Sequence, residues 1–205
     1  MENVPNRKRS HGLGIGVLAV ATVLLLGLGA WRLNSTGSTD SQAATPIATA
    51  ASPSPAGPRL ILDAVGLNVP LSAMMVDNRT VNPPGNDAAY ILANHGYPPS
   101  HTSEGTVYIA MHALHTGSGA PGNLLADTTT RQPRLTEGDT ITADGTTYTV
   151  TNTYTADKTT VANDTNLWNP TITHRLVILT CLPNTSGHGT ASHNIITIAQ
   201  HDLND

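Results

Sequence analysis

Beyond residue 58 the apolar positions fall in short runs, several of which alternate with polar residues in the way that is typical of β-strands. The runs span residues 59–62, 67–71, 105–110, 140–143, 146–150, 175–181 and 194–199. Gly, Pro, Asn and Asp separate them, and Asp144-Gly145 between two runs predicts a tight hairpin turn. One short turn of helix is predicted near Pro121 to Asp127. This pattern predicts a mainly β fold, a closed or nearly closed β barrel of about eight strands with short helices.

A different pattern precedes these runs, because residues 12–31 are twenty consecutive residues without a charge. A bilayer core of about 30 Å needs about 20 helical residues, so the stretch is long enough to cross a membrane. Residues 1–32 carry four basic side chains and one acidic one, and a basic leading flank favours a cytoplasmic N-terminus. The sequence therefore predicts a cytoplasmic N-terminus over 1–11 and a single-pass transmembrane helix over 12–31, with the remaining domain extracellular at the cell membrane.

A cleaved signal peptide is the other interpretation of this stretch. Such signals have apolar regions of about 7–15 residues and end at a small-residue cleavage site. The stretch here is longer, and the small residues Ala43 and Ala44 lie well downstream of it. We favour the uncleaved anchor, and both interpretations export the rest of the chain.

Residues 32–58 consist mainly of Ser, Thr, Ala, Gly and Pro. A segment of this composition buries too little apolar surface to offset the entropy of ordering, so it is predicted to be a flexible linker. No internal repeat is visible, and residues 59–205 are predicted to form the single folded domain.

Composition narrows the possible functions of that domain. Hydrophobic residues make up 39% of the chain but aromatic ones only 3%, and Phe is absent, so the core must consist of Leu, Ile, Val and Ala. One cysteine excludes an intramolecular disulfide. The chain has a net charge of −4, whereas a nucleic-acid-binding protein needs a basic surface, so no nucleic-acid partner is predicted.

The single cysteine, Cys181, is a candidate nucleophile. It ends an apolar run and precedes Leu182-Pro183-Asn184, which ends strand pairing and opens a polar loop. Free cysteines are often only small buried hydrophobes. In an exported domain, however, an accessible unpaired thiol is a chemical liability unless it is used.

A cysteine nucleophile needs a base, and histidine suits that role because its pKa lies near 6.5. His112 and His115 follow directly on the apolar run that includes residues 105–110. A histidine and a cysteine at the ends of neighbouring strands can approach each other if both strands open at one rim of the barrel. His112 is the preferred base and His115 the fallback.

The order of the motifs resembles that of the sortases, the membrane-anchored cysteine transpeptidases of Gram-positive bacteria. Leu179-Thr180-Cys181 looks like the Leu-x-Thr-Cys signature at the nucleophile. Residues 105–112 look like the family's strand into the catalytic histidine, and residues 120–124 resemble its Ala-Pro-Phe-x-x-Leu stretch. Residues 137–141 and 147–150 resemble its Gly-Asp-x-Ile and Tyr-x-Val pair. The resemblance covers about residues 59–200 and implies a sortase-like barrel, of class F-like or class E-like type.

Two departures from the family pattern stand out. Met111 precedes His112 where the family usually has Gly. The family also places an arginine on the strand after the nucleophile, and here Asn194 occupies that slot, with His193 beside it. No arginine follows Cys181 in the chain.

The resemblance implies a two-step acyl transfer with Cys181 as nucleophile and His112 as general acid and base. Asn194 would take the arginine's place as an oxyanion donor, and Thr180 and His193 would contact the substrate. The implied partners are a surface protein with a C-terminal Leu-Pro-x-Thr-Gly-like sorting signal and a cell-envelope amine, either a peptidoglycan precursor or a pilin lysine.

Two alternatives remain open. The first is a catalytically weakened or inactive sortase-fold module that binds an envelope peptide, which the missing arginine motivates. The second is a zinc site built from His112, His115, Cys181, His188 and His193, although their scattered spacing matches no zinc framework. We predict neither a metal nor a cofactor.

Overall fold

The computed structural model describes residues 57–77, 80–115, 119–184, 190–201 and 203. The predicted N-terminal segment, the anchor and all but the end of the linker lie outside these residues, so they stay predictions. Within the described ranges no helix has the length and apolar character that a membrane span needs.

This part of the chain folds into short strands joined by tight connections. The strands are β1 (Arg59–Leu62), β2 (Leu67–Met74), β3 (Ala89–Leu92), β4 (Val107–Met111), β5 (Ala126–Asp127), β6 (Gln132–Pro133), β7 (Thr140–Ala143), β8 (Thr146–Asp157), β9 (Arg175–Cys181) and β10 (His193–His201). One α-helix, α1, spans Lys158–Asn163, and 3-10 helices span Asp63–Val65, Pro99–His101 and Pro121–Leu125.

Eight of these strands close into a barrel in the order β1-β2-β3-β4-β9-β10-β8-β7, with β7 pairing back onto β1. Strands β2 and β3 run parallel, as do β4 and β9, and the other barrel pairs are antiparallel. The short β5 and β6 form a separate two-stranded sheet. The predicted mainly β barrel of about eight strands is therefore confirmed.

Two apolar clusters hold the barrel, one on each face of the central strands. Alternate residues of β4, namely Val107, Ile109 and Met111, belong to the interior cluster, while Tyr108 and Ala110 belong to a second cluster outside the barrel wall. Strands β4 and β9 are consequently buried on both faces for most of their length. This double burial explains why residues 175–181 show a continuous apolar run instead of an alternating one.

The helix α1 and the loop that follows it cover the outer cluster. Asp157 caps the helix by accepting a hydrogen bond from the backbone N–H of Thr160 at 2.9 Å. Trp168 donates from Nε1 to the carbonyl oxygen of Val161 at 2.7 Å and stacks on the Tyr108 ring with centroids 5.5 Å apart. These contacts hold the loop against the outer face of β4.

Several local predictions are confirmed by these elements. Strands β1, β7 and β9 have the predicted bounds, and the helical turn after Ala120 is the 3-10 helix Pro121–Leu125. Asp144 and Gly145 have φ angles of 45° and 79°, and Ala143 pairs with Thr146. Two positive φ angles in a two-residue loop define the tight hairpin turn that the sequence predicted.

Other elements differ from the predictions. Strand β3 was absent from the predicted runs. Helix α1 was also absent, because its Thr-rich sequence has little helix propensity. The run at 67–71 extends to Met74 in spite of Pro70, because pairing with β3 begins only at Leu71. A proline is tolerated there since no partner strand on that side requires its N–H.

Candidate functional site

The ends of three neighbouring strands bring the predicted residues together. In the parallel pair of β4 and β9, Met111 lies opposite Thr180, so one further step of the register places His112 beside Cys181. In the antiparallel pair of β9 and β10, Cys181 lies directly opposite Asn194. Neighbouring strands are about 4.8 Å apart, so the three backbones form a row about 10 Å wide.

The three side chains also share one face of the sheet. Side chains alternate along a strand, and Leu179, two residues before Cys181, lies in the outer cluster. Ala110 of β4 and Ile196 of β10 lie in the same cluster, two residues from His112 and from Asn194 respectively. The row of His112, Cys181 and Asn194 therefore faces outward.

This row opens into a groove of about 400 Å³. Its lining residues come from five parts of the chain: Val81, Asn82 and Pro83; Ala110 to His115; Lys158 and Trp168; Leu179 to Cys181; and Thr190, Ala191 and Asn194. The floor is apolar, and Cys181 is partly exposed with a free thiol. A groove with an apolar floor and a few polar groups is the usual form of a site that binds a short peptide or small ligand.

His112 is held in one orientation by the segment that joins β2 to β3. Its Nε2 lies 2.8 Å from the carbonyl oxygen of Pro83, a buried residue. A carbonyl only accepts hydrogen bonds, so Nε2 carries a proton and Nδ1 is the nitrogen that can exchange one.

Asn194 has an unusual hydrogen-bonding state for a half-buried amide. Its Oδ1 is buried and has no hydrogen-bond partner among the described residues. Leaving such an atom unpaired costs free energy, and exceptions of this kind often mark functional positions. The Nδ2 amide of the same side chain is a neutral donor next to the thiol.

Thr180 points to the barrel interior instead of the groove. The residue is 4% exposed, and its Oγ1 is buried without a hydrogen-bond partner in the described structure. Gly122 packs directly against it and donates its N–H to the His112 carbonyl oxygen at 2.8 Å. Thr180 thus contributes its backbone to the groove, while its hydroxyl faces the glycine that fixes the backbone of His112.

The other two predicted histidines have different surroundings. His115 lines the groove, and its Nδ1 accepts the backbone N–H of Asn184 at 3.2 Å, so in the neutral form its proton lies on Nε2. His193 is not among the groove's lining residues. It pairs with Asp157 of β8, whose pKa is lowered mainly by hydrogen bonds from Thr160.

The structure brings together no metal-binding group in the part of the chain that it describes, where no three His, Cys, Asp or Glu side chains lie close enough to hold an ion. His188, one of the residues of the alternative zinc site, lies outside the described residues.

Three residues of the site were not predicted from the sequence. Pro83 orients His112 from a segment that reads as an ordinary Pro-Gly loop, so no local signal could have revealed it. Gly122 stands where the family motif has Phe, and that departure was the available signal. Lys158 is the third, and it is the only lysine beyond residue 8, a fact that composition alone could have flagged.

Comparison with known structures identifies the fold. No protein-family model and no curated protein sequence matches the chain. Sortase A of Listeria monocytogenes matches with a TM-score of 0.51 and 16% identity, over 71% of this chain and 86% of that one. Sortase E1 of Streptomyces coelicolor has a TM-score of 0.49 and 13% identity, over 71% and 87%. Sortase C-1 of Actinomyces oris has a TM-score of 0.47 and 16% identity, over 71% of each chain. The likeness to the Listeria protein shows that the barrel has the sortase fold.

Proposed function

We propose that the protein is a sortase-type cysteine transpeptidase that cleaves a Leu-Pro-x-Thr-Gly-like sorting signal and transfers it to a cell-envelope amine. The observation that carries this proposal is the row of His112, Cys181 and Asn194 on three adjacent strands, at the mouth of a groove in a barrel of sortase fold. A buried strand pair that ends in a partly exposed Cys and His is a poor arrangement for stability alone. It suits acyl transfer, in which a thiol and an imidazole must act on one carbonyl.

The first chemical step is attack on the scissile carbonyl. The Cys181 thiolate adds to the carbonyl carbon, and the carbon–nitrogen bond then breaks to leave a thioester on Sγ. His112 gives a proton to the leaving amine, while its Nε2–H stays bonded to the Pro83 carbonyl. In the second step an amine attacks the thioester carbon, His112 accepts its proton, and the thiolate returns as the leaving group.

Asn194 supports the charged intermediate in this proposal. Its amide lies opposite Cys181, where a donor can meet the oxyanion of a carbonyl attacked by the thiol. Removing one oxyanion donor typically lowers the rate by about 10²–10³. We therefore expect Asn194→Ala to lower kcat by about that factor and to leave KM nearly unchanged.

A fluorogenic peptide with a Leu-Pro-x-Thr-Gly core, supplied with triglycine as amine, tests the proposal. The full chain in detergent should cleave the peptide and form the triglycine product, and His112→Ala and Cys181→Ala should form neither. Asn194→Gln serves as the matched control, since it keeps the amide but moves it by one methylene. Unchanged turnover in Asn194→Ala would remove Asn194 from the mechanism.

The alternative function is peptide binding without chemistry. It is motivated by the arginines of the described residues, Arg59, Arg131, Arg134 and Arg175, none of which lines the groove. Under this alternative the peptide binds with the same affinity to the wild type and to Cys181→Ala, and no cleavage occurs with any sorting-signal peptide.

The predicted class F-like or E-like type and the placement at the cell membrane are parts of the same proposal. They are supported by the uncharged stretch over 12–31 and by the linker composition. Protease treatment of intact cells tests the placement, because an extracellular domain on a single-pass anchor is degraded while the cytoplasmic N-terminus is protected.

A further inference from the structure

The groove contains one formal charge among its described lining residues, and it is the ammonium group of Lys158. Within the described ranges, which do not include Arg79, no Asp, Glu or Arg lines the groove. An unopposed cation beside a partly exposed thiol is unexpected in a protein with a net charge of −4.

The register explains how Lys158 reaches the groove. Ala156 of β8 lies opposite Asn194 of β10, which in turn lies opposite Cys181 of β9. Lys158 follows two residues after Ala156 as the first residue of α1, directly beyond the end of β8, and it lines the groove there. Its backbone N–H donates to the Ser192 carbonyl oxygen at 3.0 Å, which ties it to the segment just before β10.

Simple distances show that the ammonium group can reach the reacting atoms. Ala156 and Cys181 are two strand spacings of about 4.8 Å apart, and Lys158 follows Ala156 by two residues, so the Cα atoms of Lys158 and Cys181 are on the order of 12 Å apart. A lysine side chain extends about 6 Å on a flexible four-carbon stem. The Cys181 side chain extends toward the same groove, so a substrate carbonyl held at the thiol lies within reach of the ammonium.

The neighbouring carboxylate does not neutralise this charge from within the groove. Asp157 is committed to the cap of α1, where it accepts hydrogen bonds from Thr160, and it pairs with His193 away from the groove lining. Lys158 itself is exposed, so it has rotamer freedom to follow a bound peptide.

We infer that Lys158 supplies the positive charge of the groove and binds the developing oxyanion or a substrate carbonyl, in place of the arginine that Asn194 has replaced. The charge comes from the first residue of α1, directly after the strand next to β10, and the long lysine stem spans the extra distance. The catalytic part of this inference rests on the proposed function, whereas the placement of the charge beside Cys181 does not.

Charged thiol reagents test the placement without any substrate. The rate of Cys181 modification is measured with an anionic sulfonatoethyl and a cationic trimethylammonioethyl methanethiosulfonate at low salt. A unit charge about 7 Å away changes the ratio of the two rates by about tenfold, so Lys158→Met should lower the anionic-to-cationic ratio by that factor. Lys158→Arg should keep the wild-type ratio, and the exposed Arg134→Met is the matched control that should also leave it unchanged. An unaltered ratio in Lys158→Met would overturn the inference.

Peptide kinetics then test the catalytic part. Lys158→Met should lower kcat/KM by about tenfold or more, Lys158→Arg should restore most of it, and Asn194→Arg introduced into Lys158→Met should rescue activity by returning an arginine to the family's position. Full kcat/KM in Lys158→Met would overturn the catalytic role. If the wild type cleaves no peptide, the proposed function fails, and the reagent ratio still decides whether Lys158 charges the groove.

Discussion

Arg175 and Cys181 lie at the two ends of strand β9 with their side chains on the same face of the sheet, and the polar groups around them differ in hydrogen bonding. At one end Arg175 is 5% exposed, and it donates hydrogen bonds to the carbonyl oxygens of Asn166, Leu167 and Asn169 and to the hydroxyls of Thr106 and Tyr108. At the other end Cys181 is partly exposed, and the neighbouring Thr180 and Asn194 each have a buried oxygen that finds no hydrogen-bond partner in the described part of the chain.

This difference separates a structural polar cluster from the proposed functional one. Arg175 is charged and buried, yet its donors are used to fasten the loop that carries Trp168 to the sheet. Burial raises the pKa of Tyr108 in that cluster, and the nearby guanidinium counteracts part of the rise. At the Cys181 end the thiol and the Asn194 Oδ1 have no hydrogen-bond partner among the described residues, which lowers stability and is typical of sites that bind or react.

The largest effect is expected at the structural end. Arg175→Met removes a buried hydrogen-bond donor from three carbonyls and two hydroxyls, so we expect the free energy of unfolding to fall by about 3–5 kcal/mol. Urea denaturation of the wild type and the variant measures this loss of free energy. The exposed Arg134→Met should change stability by less than about 0.5 kcal/mol. A loss below about 1 kcal/mol for Arg175→Met would show that the hydrogen bonds of the buried arginine do not stabilise the loop that carries Trp168.

A smaller effect on stability is expected from Gly122→Ala, which lies near the Cys181 end of β9. An added Cβ would overlap the Thr180 hydroxyl and lie 2.6 Å from the His112 carbonyl oxygen. Relieving that overlap must move the backbone of His112, so we expect a loss of about 1–3 kcal/mol in urea denaturation together with lower peptide turnover. Combining it with Thr180→Ala should recover part of the stability, since the two changes share one contact.

Matched threonine substitutions at the two ends should have opposite signs. Thr180→Val removes a buried hydroxyl that has no partner, and we expect stability to rise by about 1 kcal/mol. Thr106→Val removes a hydroxyl that donates to Ile172 and accepts from Arg175, and we expect stability to fall by about 2 kcal/mol. Thermal and urea denaturation of the pair measure both values, and equal signs would contradict the distinction between the ends.

The smallest effect concerns pH. Burial raises the pKa of Tyr108 and of Tyr148. In the unfolded chain a tyrosine titrates near 10, so above about pH 10 the unfolded state loses protons that the folded state keeps. Stability is therefore retained below pH 10 and falls as pH rises beyond it. Tyr148→Phe should make that fall shallower, as followed by urea denaturation between pH 9 and pH 11, and an unchanged slope would contradict the role of burial.

Local sequence patterns were sufficient to predict most strands of the barrel and two candidate site residues, His112 and Cys181. The continuous apolar run of β9 is typical of a strand that is buried on both faces. The positive φ angles of the hairpin follow from its Asp144-Gly145 sequence. Position along the chain also singled out His112 and Cys181. Their adjacency depends on β4 and β9 being parallel neighbours, a pairing between distant segments that no local pattern determines.

Contacts made by backbone atoms from distant loops were beyond sequence reasoning. The carbonyl of Pro83 that orients His112 lies 29 residues earlier in the chain, and any residue type could supply it. The approach of Gly122 to Thr180 depends on the path of a 3-10 helix across the barrel mouth. Lys158 enters the groove because β8 continues to Asp157, well past the predicted end at residue 150.

Capture of the thioester is the most direct measurement of the central claim. The full chain is mixed with a Leu-Pro-x-Thr-Gly-like peptide without an amine acceptor, quenched in acid and examined by intact-mass and peptide mass spectrometry. We expect a mass increase equal to the peptide up to its threonine, located on Cys181, cleaved by hydroxylamine and absent in Cys181→Ala. Binding of the peptide by wild type without any adduct on Cys181 would contradict the claim and leave the groove as a binding site only.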